Sequence, residues 1–220
     1  MQCIKDTIKN INIVIGCNIG CSYCYARMNN NRFHTIDDFN KPVFFENKLK
    51  MLDNKRHTAY LLTGQSDLSG WNEEWKNKVF SKMKENENTQ YIFLTKRPEN
   101  INLKETPDNG WFGVTVTSSK EKTRIDYLRN NIKAKHYHIT FEPMFDDVGK
   151  LDLNNISWIV IGTETGNRKG KISSKREWVF NIYNQAKEKN IPVFMKEDLL
   201  GILNEDEFVQ EFPKEFGGIK

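Results

Sequence analysis

Seven short runs of apolar, β-branched or aromatic residues recur along the chain, at residues 12–15, 59–63, 91–95, 112–117, 137–141, 158–161 and 192–195. This recurrence restricts the fold more than any other feature. Each run is too short for a buried helix and nearly continuous in its hydrophobicity, as a strand covered on both faces must be. Between several runs the apolar residues step by four: Trp71, Trp75, Val79 and Met83, then Trp178, Ile182 and Ala186. That spacing lays one helical face against a core. Ser118 and Ser119 stand before the stretch carrying Ile125, Leu128 and Ile132, and Ser173 and Ser174 before the Trp178 stretch, where capping hydroxyls are expected. Strands separated by helix-length gaps are joined by crossovers and run parallel. The pattern predicts an α/β fold: a partial, incomplete parallel β/α barrel of six to seven strands with helices outside, or an open doubly wound sheet.

With 220 residues and no linker-like or low-complexity stretch, one domain is expected, with a core over about 10–198 and a C-terminal extension over 199–220. No apolar stretch approaches the ~20 residues that span a bilayer, and the charged start MQCIKDTIKN does not read as a signal peptide. A cytoplasmic protein without a membrane partner is expected. The net charge of +4 is a mild bias toward anionic partners, well short of a nucleic-acid-binding footprint by itself.

In either architecture ligands bind at the C-terminal ends of the strands. Polar residues collect where several runs stop: Thr63-Gly64-Gln65-Ser66-Asp67, Thr95-Lys96-Arg97, Thr115-Val116-Thr117, Glu142, Gly162-Thr163-Glu164 and Lys196-Glu197-Asp198. Glu142 lies between Phe141 and Pro143, a carboxylate at a forced turn. Each position also has a plain structural role open to it. Ser66, Asp67 or Ser69 can cap the Trp71 helix, Lys96 and Arg97 can form surface ion pairs, and Thr115 and Thr117 can be strand formers. His34, His136 and His138 form no recognisable catalytic triad in the sequence, and the five tryptophans fall largely on apolar faces, where core packing is expected.

Just past the first run, Cys17, Cys21 and Cys24 follow the spacing C-x3-C-x2-C, with Gly16 and Gly20 in the same loop. Thiolates are soft ligands suited to zinc or to iron-sulfur clusters, and glycines let a short loop wrap such a group. A zinc site completed by Cys3 or His34 is one reading, although zinc motifs favour paired C-x2-C hooks and a second hook is missing. Three cysteines holding a 4Fe-4S cube would leave one iron open to a ligand.

The spacing, with Tyr23 before the last cysteine, resembles the radical S-adenosylmethionine superfamily. The succession GC...GC..CYA, SDL, LTKRP, WFGVTV, TFEPMF, WIVIGTETG and VFMK looks like a family of largely uncharacterised phage and bacterial radical enzymes, from about Asn12 to Glu197. The resemblance implies a 4Fe-4S cluster on Cys17, Cys21 and Cys24, S-adenosyl-L-methionine as second cofactor, and an electron donor such as a reductase, flavodoxin or ferredoxin. It implies contacts from Gly64, Gln65 and Ser66 to the methionine ammonium, from Thr115 and Thr117 to the ribose or methionine carboxylate, and from Ile161 and Gly162 to adenine. Tyr23 is carried over as a cofactor neighbour. Lys96 or Arg97 would pair with the methionine carboxylate or with a substrate phosphate, and Glu142, Glu164 and Lys196 would act at the substrate. The basic balance, the phage association and a short open barrel favour a nucleic acid, nucleotide or nucleobase as substrate, with a peptide next. From a different class comes a non-catalytic iron-sulfur or zinc module that carries electrons or supports a complex.

Overall fold

Seven parallel strands hydrogen-bond edge to edge and curl into a half-barrel with helices around it. The computed structural model describes residues 2–54 and 58–217. The strands of this sheet are β1 (Ile8–Asn10), β4 (Ala59–Leu61), β5 (Gln90–Thr95), β6 (Gly110–Thr115), β7 (His136–Phe141), β8 (Ile156–Ile161) and β9 (Val193–Met195), adjacent in that order. A small antiparallel pair, β2 (Val14–Ile15) and β3 (Val43–Phe44), stands apart from it. The α-helices are α1 (Ile4–Thr7), α2 (Tyr25–Phe33), α3 (Glu73–Lys84), α4 (Thr123–Asn131) and α5 (Arg176–Glu188). Among the described residues no helix is long and apolar enough to cross a membrane.

Period two along the strands builds two separate cores. Tyr91, Phe93, Phe112, Val114, Ile139, Phe141, Ile159 and Ile161 share one with the helical Val79, Met83, Ile125, Leu128, Val179 and Ile182. The alternate positions Ile92, Trp111, Trp158, Val160 and Phe194 join Ile8, Ala59 and Phe216 in a second cluster inside the half-barrel. Because both faces are covered, the strands read as continuous apolar runs.

The first ladder differs from expectation. Residues 12–15 do not enter the main sheet: β1 pairs with β4 only from Ile8↔Ala59 to Asn10↔Leu61. The next residues turn their backbone to β3, through Val14↔Phe44 and a bond from Phe45 N to Ile13 O. Gly16, at φ 114°, then brings the chain back beside the extension of β4, bridging Ser66 in parallel.

The expected serine caps are absent as well. α4 begins at Thr123 without a side-chain cap, while Ser119 donates from N and Oγ to Asp146 at 2.7 and 2.9 Å. α5 is likewise uncapped by a side chain, and Ser174 donates to Thr163 Oγ1. Ser119 joins the loop after β6 to the loop after β7, and Ser174 closes the loop after β8 on itself. α3 is capped by Asn72, which accepts from Trp75 N, so Trp71 lies just outside the helix.

Among the described residues of the C-terminal extension, Leu199, Leu203 and Phe216 are buried in the core. Phe216 is fully buried, packs edge-on against Trp111 and Trp158, and its carbonyl accepts from Thr58 Oγ1. It plugs the half-barrel from inside, at the end away from the cysteine loop.

Candidate functional site

The three cysteines sit on a loop pinned at its start by two backbone bonds. Gly16 N donates to Gln65 O at 3.0 Å and Cys17 N to Phe39 O at 2.6 Å. A Cβ on Gly16 would lie 2.9 Å from Pro42 Cα, so only glycine permits this close approach. Arg27 reaches back from α2 to Cys17 O, at 2.8 Å, and Cys24 caps the same helix by accepting from Arg27 N at 3.4 Å. A thiolate there would face the positive end of the helix.

All three thiols are free and partly exposed, and Cys17 and Cys24 rest against the apolar cluster of Ile15, Ala26, Ile36 and Phe39. Burial pushes the Cys17 thiol up to about 11, with Asp67, Cys21 and Cys24 adding repulsion. The thiols are close enough to feel one another's charge, so three thiolates here need a cationic group to hold them. The donor set suits an iron-sulfur cluster on chemical grounds. Among the described residues no three His, Cys, Asp or Glu side chains gather around a position for a single metal ion. Cys3 is engaged elsewhere, donating to Glu197 Oε1 at 3.0 Å, and His34 ends α2, a helix length of about 13 Å from Cys24.

The β4 loop lies beside this one. Gly64 O accepts from Tyr25 Oη at 2.5 Å, Gln65 O is taken by Gly16 N, and Ser66 Oγ accepts from Trp71 Nε1 at 3.0 Å. Asp67 is the buried anchor here. Its Oδ1 accepts from Thr95 Oγ1 at 2.7 Å and its Oδ2 from Lys96 N at 2.8 Å, which joins the ends of β4 and β5. It also caps the short turn at Leu68–Gly70, not α3. Tyr23 packs edge-on against Phe145, with Lys96 Nζ 5.8 Å from its ring centre. Desolvation, then the neighbouring Cys21, raises the Tyr23 pKa.

Following the alternation of β7, β8 and β9 one step past the interior cluster places Glu142, Gly162 and Lys196 on the inner side of the mouth. Lys196 Nζ pairs closely with Glu142 Oε1 and lies 3.3 Å from Asp198 Oδ2. A Cβ on Gly162 would come within 3.2 Å of both carboxyl side chains, so the glycine makes room for them. Desolvation works against the Lys196 charge, but the two carboxylates more than offset it and its pKa is raised. Burial raises Asp198 despite the ammonium. Desolvation, followed by the Cys24 and Glu142 charges, raises Tyr25, so the residue after the last cysteine lies within electrostatic reach of this cluster.

The remaining candidates are distributed differently. Glu164 is buried, with Arg168 Nη2 at 2.7 Å from Oε2 and Ile172 N on the same oxygen. It stabilises the loop after β8, beside a cavity of about 470 Å3 that Asp198 also lines. Thr115 is buried and its carbonyl accepts from Arg124; Thr117 donates from N and Oγ1 to Glu121 Oε2. Ile161 is packed in the helix-side core, so at that strand end Gly162 alone faces the interior. Asp67 and Asp198, which the sequence places among the polar strand ends without a specific role, and Tyr25, next to the cysteine motif, lie beside these residues. Their signal was position: each adjoins a strand end or the cysteine motif.

Residues 2–217 match DUF5131, described as a protein of unknown function. The chain belongs to this family. The DUF5131 chain is also 35% identical over 98 residues to Lipase 1 of Staphylococcus aureus strains Mu50, N315 and COL. That alignment takes in 44% of this chain and 14% of each lipase, so the chain spans only a small part of those relatives. No solved structure matches at comparable stringency.

Proposed function

We propose that this chain is a radical S-adenosylmethionine enzyme whose Cys17, Cys21 and Cys24 hold a 4Fe-4S cluster at the mouth of the half-barrel. The observation that carries the reading is the meeting of two features: a glycine-relieved loop with three free thiols, and polar residues at the strand ends on the same side of the half-barrel. When bound, the cluster and S-adenosylmethionine would supply reductive cleavage to methionine and a 5′-deoxyadenosyl radical, which takes a hydrogen atom from substrate.

In this reading the cysteine loop and Arg27 orient the cluster. Gly64, Gln65 and Ser66 offer acceptors for the methionine ammonium, Thr115 and Thr117 stand near the ribose, and the strand end at Ile161 and Gly162 lies beside the adenine. Glu142, Lys196 and Asp198 form the polar wall facing the substrate. Their ion pairs hold the side chains in place, which limits the reorganisation needed at reaction. Glu164 braces that wall through the loop it shares with Arg168. The substrate is a nucleic acid or nucleotide, and a cytoplasmic location keeps the thiols reduced for cluster assembly. An external flavodoxin, ferredoxin or reductase provides the electron.

Anaerobic reconstitution followed by iron and sulfide assay tests the reading. About four irons per chain are expected, lost when any of the three cysteines becomes alanine. With dithionite, the loaded protein should release 5′-deoxyadenosine from S-adenosylmethionine on chromatography. A loaded, reduced cluster that releases none would leave an electron-transfer module; stoichiometric zinc with no iron would overturn the cluster itself.

A further inference from the structure

A second cavity, of about 420 Å3, opens beside the cysteine loop between the ends of β5 and β6. Its wall holds Lys96, Arg97, Lys120 and Arg124, against the carboxylates of Glu99 and Glu121. Glu121 is already engaged: Oε2 accepts from the Thr117 backbone and hydroxyl, and Oε1 lies 2.8 Å from Arg124 Nη2. Arg124 spends its other nitrogen on Thr115 O. Among the described residues Lys96, Arg97 and Lys120 have no carboxylate within ion-pair distance, and exposed Glu99 is the one carboxylate on the rim not so engaged.

Two of the cations, Lys96 and Arg97, are held by a built turn. Buried Asp67 fixes the backbone of Lys96, and Thr95 Oγ1, itself bonded to Asp67, accepts from Arg97 N. Pro98 then starts a short helical turn. Lys96 leans over Tyr23, so the cavity is continuous with the cysteine loop, which contributes Ile19 to its lining. On the outer side stands Tyr127, a 46% exposed aromatic ring. Converging unpaired cations repel one another until an anion joins them, and guanidinium and ammonium groups with an adjacent ring match a phosphate followed by a base or sugar.

We infer that this cavity binds a phosphate group of the substrate, from a nucleotide or a nucleic-acid strand, and so places the rest of that substrate at the barrel mouth. The inference rests on the proposed radical chemistry for its purpose but not for its test. Binding is measured on the full chain without reductant or S-adenosylmethionine, by fluorescence anisotropy with a labelled single-stranded DNA oligonucleotide and by calorimetry with a nucleoside monophosphate. At least one should bind, and whichever does identifies the source of the phosphate. Lys120→Glu and Arg97→Gln should each weaken that binding by about tenfold and reduce its salt dependence. Lys84→Glu, the same charge change at the opposite end of the sheet, should have little effect. Circular dichroism confirms that each variant is folded. If neither ligand binds, or if Lys84→Glu weakens binding as much as Lys120→Glu does, the phosphate site is overturned while the cluster reading stands. Loss of cluster activity with selective binding intact would have the reverse meaning.

Discussion

Gly113 of β6 lies directly opposite His138 of β7, and a Cβ built on the glycine would overlap the imidazole ring. The ring covers the glycine and brings Nε2 to 3.1 Å from Phe93 O on β5, so one side chain spans three strands inside the half-barrel. Gly113→Ala should therefore lower unfolding stability by about 3 kcal/mol, through overpacking and the lost hydrogen bond. Urea titration measures it. A loss below ~1 kcal/mol would mean that the ring has somewhere else to go.

The same histidine makes stability depend on pH. Complete burial lowers its pKa to about 4, whereas the unfolded chain protonates near 6.5. As pH falls below ~6.5 the unfolded state takes up a proton that the folded state refuses. The contribution is complete above that pH and declines toward pH 4, by about 3 kcal/mol in all. His138→Gln keeps a donor for Phe93 O but cannot titrate. The difference in stability between wild type and this variant should shrink in the wild type's disfavour across pH 6.5 to 4; parallel profiles would refute the assignment.

At the mouth, Lys196 neutralises two carboxylates at once. Removing it by Lys196→Met leaves Glu142 and Asp198 facing each other above Gly162, at an expected cost of about 2 kcal/mol. Glu142→Gln should cost less, because Asp198 still faces the ammonium. Denaturant midpoints at pH 7 give the order, and equal losses would show that the two carboxylates do not share the lysine.

Phe216 offers a test of the interior plug. Its side chain is fully buried among Trp111, Trp158 and Phe212, far along the chain from each strand it covers. Phe216→Ala should cost about 3–5 kcal/mol. A near-neutral result would show that the half-barrel is stable without its C-terminal plug.

By itself, the sequence determined the parallel α/β architecture, the strand ends that carry polar residues and the loop that carries the thiols. Those features are local: an apolar run, a helical spacing or a C-x3-C-x2-C interval is complete within a few residues. The tertiary structure decided which neighbours those residues serve. Residues 12–15 are apolar enough for the main sheet, yet their hydrogen bonds go to β3, because the chain must leave β4 to form the cysteine loop. Ser119 and Ser174 have the chemistry of helix caps, but Asp146 and Thr163 reach their hydroxyls first. Glu142 and Lys196 meet across 54 positions, and Phe216 fills an interior that exists only once the sheet has curled. Periodicity reports which face of an element is buried; the partner on that face depends on closure of the whole chain.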